Sequence, residues 1–394
     1  MILLVFNMYQ TLFLAVISVS IGGILRKKIG FLIRFCVPAP VIGGLLFAII
    51  TCILHVSHFA EVTFDDTLRE VCMVIFFTSV GFQANIRVLR QGGRSMVLFL
   101  ILVIALIALQ NVMAISLSSL LGIDRLLGLC TGSIPMVGGH GTAGAFGPVL
   151  EDFGVRGATT ICTSAATFGL IAGSLMGGPL GNHLIRKYNL HTTDEVDEMA
   201  DKANNSAMDA IIKYPPAVYL LISAAGVGTL ISSLLSKTGM VFPIYIGAML
   251  AAAVIRNYCE LTGSFSLPMS EIENFGEICL TLFLGIAMIT LKIWQLADLA
   301  LPLIVLLGGQ VVLMYIYTRF ILFNAMGRNY DAAVIVGGTC GFGMGATPNA
   351  MANMAVITEQ YGPSVEAYLL IPIVGSLFAD FINSLAITFF INLL

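Results

Sequence analysis

Two glycine-rich segments interrupt an otherwise oily chain at matching places in its halves. They are Gly138-Gly139-His140-Gly141-Thr142 and Gly341-Phe342-Gly343-Met344-Gly345-Ala346-Thr347-Pro348-Asn349. A lipid-facing helix cannot run through such segments, because every backbone N–H and C=O at membrane depth needs a partner inside protein or beside a water-filled cavity. Interruptions of this kind are where membrane carriers hold a solute. The lipid environment follows from the rest of the chain: 58% of its 394 residues are hydrophobic and only 10% are charged, which leaves too little polar surface to face water. With a net charge of −3 and no basic stripe, nucleic acid is set aside as a partner.

A span needs about 20 apolar residues to cross about 30 Å of hydrocarbon. Runs near 8–25, 38–56, 67–86, 95–121, 156–185, 212–235, 242–258, 272–292, 299–326 and 364–394 meet that length, and predict ten spans. The first run is uncharged, with Arg26, Lys27 and Lys28 after it instead of before it, so it is read as a retained helix and not as a cleaved leader. Two further stretches, 125–152 and 332–358, carry the glycine segments at their middles. Each limb there rises only about 15 to 20 Å as a helix, which predicts a re-entrant hairpin.

With both hairpins re-entrant, one face collects Arg26, Lys27, Lys28, Arg34, Arg87, Arg90, Arg94, Arg186, Lys187, Lys202, Lys213, Arg256, Arg319 and Arg328, 14 of the 19 basic residues. Arg69, Arg125, Arg156, Lys237 and Lys292 fall on the other. The positive-inside rule makes the first face cytoplasmic and puts both termini outside. The segment 187–211, with Asp194, Glu195, Asp197, Glu198 and Asp201 close together, reads as a solvated cytoplasmic linker between an N-terminal unit (1–186) and a C-terminal unit (212–394). The eight cysteines, Cys36, Cys52, Cys72, Cys130, Cys162, Cys259, Cys279 and Cys340, are scattered and never form C-x-x-C, so they are read as reduced core residues.

Sliding the chain by 207 residues superposes Glu70 on Glu277, Cys72 on Cys279, Phe76 on Phe283, Asp124 on Asp331 and Gly138 on Gly345. The predicted fold is therefore an all-α polytopic membrane protein built from two five-span repeats, each holding one hairpin. Five is odd, so the second copy enters the membrane upside down, and inverted repeats give alternating access a structural basis.

At the first tip Asp124 is expected to cap the first limb and Thr142 to open the second. Asp331 and Asn349 are given the same places in the second hairpin. Two helix starts then face each other near the midplane with free amide hydrogens, which suits a carboxylate, while the ends of the first limbs offer carbonyl oxygens to a cation. Ser133, Gly139, His140, Gly141, Thr142, Gly345, Thr347 and Asn349 are the candidate substrate contacts. Asp380 is the one acid near the middle of the last span. A carboxylate at membrane depth costs roughly 2.5 to 3.5 kcal/mol, so it is a functional candidate by default. Asp380, Asn383, Thr163, Ser164, Gly343 and Asn353 are the candidate sodium ligands. Thr167, Thr339 and Ser376 are further polar candidates, although a buried hydroxyl more often bonds its own helix backbone. Gln110, Asn111 and Gln310 either line a cavity or tie helices together. Trp294 beside Lys292 reads as an interfacial anchor.

The chain closely resembles the bacterial glutamate:sodium symporter family through Pro38-Ala39-Pro40-Val41-Ile42-Gly43-Gly44, Gln110-Asn111, the Gly138–Thr142 segment, Ala166-Thr167-Phe168-Gly169, Asn329-Tyr330-Asp331-Ala332-Ala333 and Cys340 through Pro348. The resemblance implies sodium-coupled uptake of L-glutamate in a bacterial inner membrane. It also implies a homodimer whose transport core moves against a scaffold, with sodium as coupling ion and no other cofactor. The chain departs from the family pattern at Val137, where Ser is usual, and at Asn349, where Thr is common. A carrier of another small carboxylate, sodium- or proton-coupled, is the nearest rival, and an ion channel built on re-entrant loops is the next. An intramembrane enzyme has no support, since H-E-x-x-H and G-x-S-x-G are both absent.

Overall fold

The computed structural model describes residues 2–35, 37–87, 93–192, 207–237, 243–263, 265–294 and 300–394. Cys36, Arg90, Lys202, the linker acids between Asp194 and Asp201, and the side chain of Ser376 lie outside the described set. The chain is helical with one exception. Residues Ile2–Phe6 (β1) pair in parallel with Ala60–Phe64 (β2), and Phe6 stacks on Phe64 at 5.5 Å. An entirely helical chain was expected. The departure is set by Asn7, whose side chain accepts from the Gln10 amide while Gln10 reaches back to the Asn7 amide, both at 3.0 Å. This capping box starts the first helix at Met8 and leaves the residues before it extended.

The helices that follow are α1 (Met8–Lys28), α2 (Ala39–Val56), α3 (Thr67–Gln83), α4 (Gly93–Leu120), three short pieces α5 (Arg125–Leu129), α6 (Ser133–Met136) and α7 (Gly139–Asp152), and the long α8 (Ala158–Tyr188). The second half repeats the order with α9 (Ala207–Ser236), α10 (Ile244–Thr262), α11 (Met269–Ile289) and α12 (Ala300–Ile316), the last extended by a π-turn at Tyr317–Leu322. Then come α13 (Tyr330–Gly343), α14 (Thr347–Tyr361), α15 (Val365–Pro372), a π-turn at Ile373–Phe378 and α16 (Ala379–Leu393).

Eight of the described helices are long and apolar enough to cross a membrane, and the pair around the last π-turn, bent by 42°, is a ninth. The remaining expected span is α3, a 17-residue helix whose rise of about 25 Å sits at the short end of spanning length.

Small residues set how closely these helices approach. A Cβ on Gly22 would meet the Ala39 carbonyl oxygen at 1.9 Å, and one on Gly247 would meet the Gly228 oxygen at 2.1 Å, so α1 packs on α2 and α9 on α10 backbone to backbone. Between halves, small and large exchange places. Gly44 of α2 lies against Met288 of α11, while Gly81 of α3 lies against Met249 of α10. Away from these pairs, α4, α8 and α12 to α16 bury one apolar core, and α5, α7, α8 and α10 share a second.

Candidate functional site

The first glycine segment is held by side chains of its neighbours. Asp124 caps α5 by accepting from the Leu126 amide at 2.8 Å, as its position predicts. The limb then breaks twice, at Cys130–Gly132 and again at Val137–Gly138, instead of once at its tip. Asn111 of α4 repairs the first break: its Oδ1 accepts from the Ser133 amide at 2.9 Å and its Nδ2 donates to Ser133 Oγ at 2.8 Å. The Asn383 amide of α16 donates to the Ser133 carbonyl at 3.1 Å. At the second break α7 begins at Gly139, which has φ of 57° and no side-chain cap behind it. Among the described residues no backbone carbonyl takes the N–H of Gly139, His140 or Gly141, so the start of α7 presents donors and the positive end of its dipole. Thr142 therefore lies inside the first turn and does not cap it, because Gly138 holds the cap position.

The second glycine segment closes on itself. α13 and α14 run antiparallel: a Cβ on Gly341 would meet Ala350, one on Gly338 would meet Met354, and one on Gly337 would meet Ile357. Their outer ends are tied by Tyr330 donating to the Gly362 carbonyl and by Ser364 donating to Asp331 at 2.6 Å. Asn329, and not Asp331, caps α13. Ala346 holds the cap position of α14, so Asn349 stands three residues in and turns its amide outward to the Leu170 carbonyl at 2.9 Å. Pro348 removes one donor from this helix start.

The two segments meet. A Cβ built on Gly139 would lie 2.7 Å from the Gly345 carbonyl oxygen, so the tips are in backbone contact. Both lie against the middle of α8, whose glycines at 169, 173, 177 and 181 recur every fourth residue on one face. Gly169 abuts the Met344 carbonyl (2.2 Å from a built Cβ), Gly173 the Cys340 carbonyl (2.6 Å) and Gly177 the Gly337 carbonyl (2.5 Å). On the same helix Thr163 donates to Thr159 O, Thr167 to Thr163 O, and His140 bonds Thr167 Oγ1 at 3.0 Å, a ladder that ends on the first tip.

Four buried amide oxygens around this meeting point accept no hydrogen bond among the described residues: Asn349 Oδ1, Asn383 Oδ1, Gln110 Oε1 and Gln310 Oε1. A buried orphan acceptor costs about 1 to 3 kcal/mol, so such oxygens are poised for a donor or a hard cation. No group of three or more His, Cys, Asp or Glu able to hold a metal occurs among the described residues, so a cation here would be bound largely by neutral oxygens.

A family model for the sodium/glutamate symporter matches residues 4–363. The chain is 38% identical over 392 residues to the sodium/glutamate symporters of Escherichia coli strain K12 and Shigella flexneri, covering 97% of each partner. It is 37% identical over 386 residues to that of Haemophilus influenzae, covering 96% of both chains. The chain belongs to the sodium/glutamate symporter family. Symporters are carriers and not enzymes, and with its many apolar helices the chain is a multi-pass membrane transporter of that family.

Within that family setting only some of the predicted residues come together. Ser133, Gly139, His140, Thr142, Gly345, Asn349 and Asn383 are buried at the meeting point, with Gly141 and Thr347 half-buried beside them. Gly343 and Asn353 are buried but committed elsewhere. The Gly343 carbonyl accepts from Gln110 Nε2 at 2.8 Å, and Asn353 donates to Gly173 O and Gly337 O at 3.0 and 3.2 Å, pinning the second hairpin to α8. Thr163 and Thr339 bond their own helix backbones. Ser164 sits on the exposed face of α8, apart from the tips. Asp380, in the first turn of α16, is half-buried, and no described hydrogen bond or ion pair engages its carboxylate. The two glutamines prove to be helix ties, since Gln310 also donates to Gln110 O at 3.1 Å. The α8 glycine stripe was missed as a unit, although its period of four is plain in the sequence and is the small-xxx-small signal of close helix packing.

Proposed function

We propose that the chain imports L-glutamate with sodium by alternating access, binding both where the two glycine segments meet. The observation that carries this reading is the backbone contact between Gly139 and Gly345, with free amides on one side and orphan amide oxygens of Asn349 and Asn383 around it. The carboxylates of the substrate take the start of α7; sodium takes the neutral oxygens, with Asp380 as the nearby acid.

Inverted repeats are supported by the recurring element order and by the exchange of Gly44–Met288 for Gly81–Met249. They are supported too by Cys72 and Cys279, superposed by the 207-residue offset, whose side chains are neighbours where α3 packs on α11, as residues related by a two-fold axis are where the axis passes between them. Re-entry from opposite faces is supported by α8. Its first turn receives the base of the first hairpin, where the Thr159 amide donates to Glu151 at 3.0 Å, and its last turn receives the base of the second, where Arg186 donates to Tyr361 Oη at 3.0 Å. Thirty-one residues of helix separate these ends by about 46 Å. The reading includes a homodimer in the bacterial inner membrane, with termini outside and the 187–211 linker in the cytoplasm. Within it the repeats (1–186 and 212–394) cooperate, and a core of hairpins moves against α1–α3 and α9–α11. Sodium is the coupling ion.

Uptake by purified protein in liposomes tests this, with labelled glutamate, aspartate and citrate against sodium, potassium or proton gradients. Sodium-driven glutamate accumulation is expected, and glutamate movement indifferent to sodium overturns the reading. Asp380→Asn is expected to raise the sodium half-saturation concentration at least tenfold, about 1.4 kcal/mol; an unchanged sodium dependence removes Asp380 from the site.

A further inference from the structure

A cavity of about 620 Å³ opens where α2, β2, the base of the first hairpin, the start of α8 and the end of α11 come together. Its charged lining is Arg69, Arg156 and Lys292 against Glu61, Asp66 and Glu151. Formally these balance, but three of the six are already committed. Arg69 and Asp66 close on each other at 2.7 Å, and Glu151 accepts from the Thr159 amide at the positive start of α8. Arg156 and Lys292 form no ion pair among the described residues, and neither does Glu61. Two cations and one carboxylate thus face a polar space edged by Thr51, Thr63, Thr160 and Thr290. Thr159, 7% exposed, lines the same space with a buried hydroxyl oxygen that has no hydrogen-bond partner among the described residues.

This uncommitted set is the charge complement of an acidic amino acid, which carries two carboxylates and one ammonium. The volume is ample for so small a solute. The cavity also stands at the head of the threonine ladder: from Thr159 to Thr167, which bonds His140 at the first tip, α8 rises about 12 Å. On the basis of the sodium-coupled carriage proposed above, we propose that the cavity is an outer waiting site for the acidic amino acid. Arg156 and Lys292 receive its carboxylates and Glu61 its ammonium before it descends to the glycine segments.

The test is uptake kinetics in right-side-out vesicles. Arg156→Gln and Lys292→Gln are each expected to raise the glutamate KM about three- to tenfold, the lower range of electrostatic capture at a cleft, with kcat and the sodium half-saturation unchanged. Glu61→Gln decides between recognition and a general field. Recognition of the ammonium raises KM in that variant, whereas a cavity acting only through its field gains from the lost negative charge and KM falls. A lowered or unchanged KM in Glu61→Gln overturns the proposal, as does wild-type KM in both cation variants. Arg156→Lys is expected to keep KM within about twofold, retaining the charge if the glutamine variant does not fold. The side is checked with Arg156→Cys in a background without other reactive thiols. A cationic impermeant thiol reagent is expected to restore the low KM and an anionic one to leave it high; no difference between the two overturns the proposal. Wild-type vesicles without sodium-driven glutamate uptake would instead sink the function proposed above, so the two failures are distinct.

Discussion

The two glycine segments occupy equivalent places in the chain and are stabilised by different means. The first is a limb broken twice and propped by side chains reaching in from α4, α8 and α16: Asn111, the Thr167 partner of His140, and Asn383. The second is a continuous antiparallel pair pressed backbone to backbone onto the glycine face of α8 and pinned by Asn349 and Asn353. The difference is chemical as well as mechanical. The first segment leaves three amide donors free, while Pro348 thins the donors of the second, where Gly345 O and Asn349 Oδ1 leave oxygens. Segments at matching places in the two halves thus present donors on one side of a contact and acceptors on the other.

The largest effect expected from this comparison is at α8. Gly169→Leu drives a side chain into the Met344 carbonyl, a backbone atom that cannot swing aside, and is expected to lower stability by at least about 3 kcal/mol and abolish uptake. A wild-type melting temperature in detergent would break the picture of a second hairpin seated on glycine. Next is Gly139→Ala, which imposes a left-handed conformation costing about 1 to 2 kcal/mol along with overlap at Gly345 O. Uptake should fall at least tenfold with a smaller loss of melting temperature, because the strain falls at the contact between tips.

The amides sharpen the donor and acceptor division. Asn349→Ala and Asn383→Ala are expected to raise the sodium half-saturation about fivefold or more. Asn353→Ala should lower stability by about 1 to 3 kcal/mol and leave sodium dependence in place, since its amide is spent on α8 and α13. Equal sodium effects in all three would erase the distinction. Smallest is His140→Ala, which removes one bond to Thr167 and is expected to raise glutamate KM a few-fold, about 0.5 to 1.5 kcal/mol.

Much of this was legible in the sequence because lipid imposes few options: apolar runs of spanning length gave the helices, and glycine with proline at a run's centre marked both breaks. Caps were read less well. Thr142, Asp331 and Asn349 have the chemistry of caps, but a cap is decided by where the helix starts, and Gly138, Asn329 and Ala346 hold those places because the tips must touch and the hairpin ends must close. Asp124, free of such tertiary demands, caps as its neighbours in sequence predict. The strand pair at the amino terminus was invisible because its partner lies beyond two helices, and an apolar run of five residues has no period long enough to separate strand from helix. Whether Gln110 and Gln310 line a cavity or tie helices depends on which helix lies opposite, a fact that spacing along one chain does not hold.

The placement of α8 has a mechanical consequence. It grips the base of one hairpin at each end and both tips at its waist, so a slide or tilt of this rod takes both glycine segments with it. Neither glycine segment can then be displaced by a motion of the rod that spares the other.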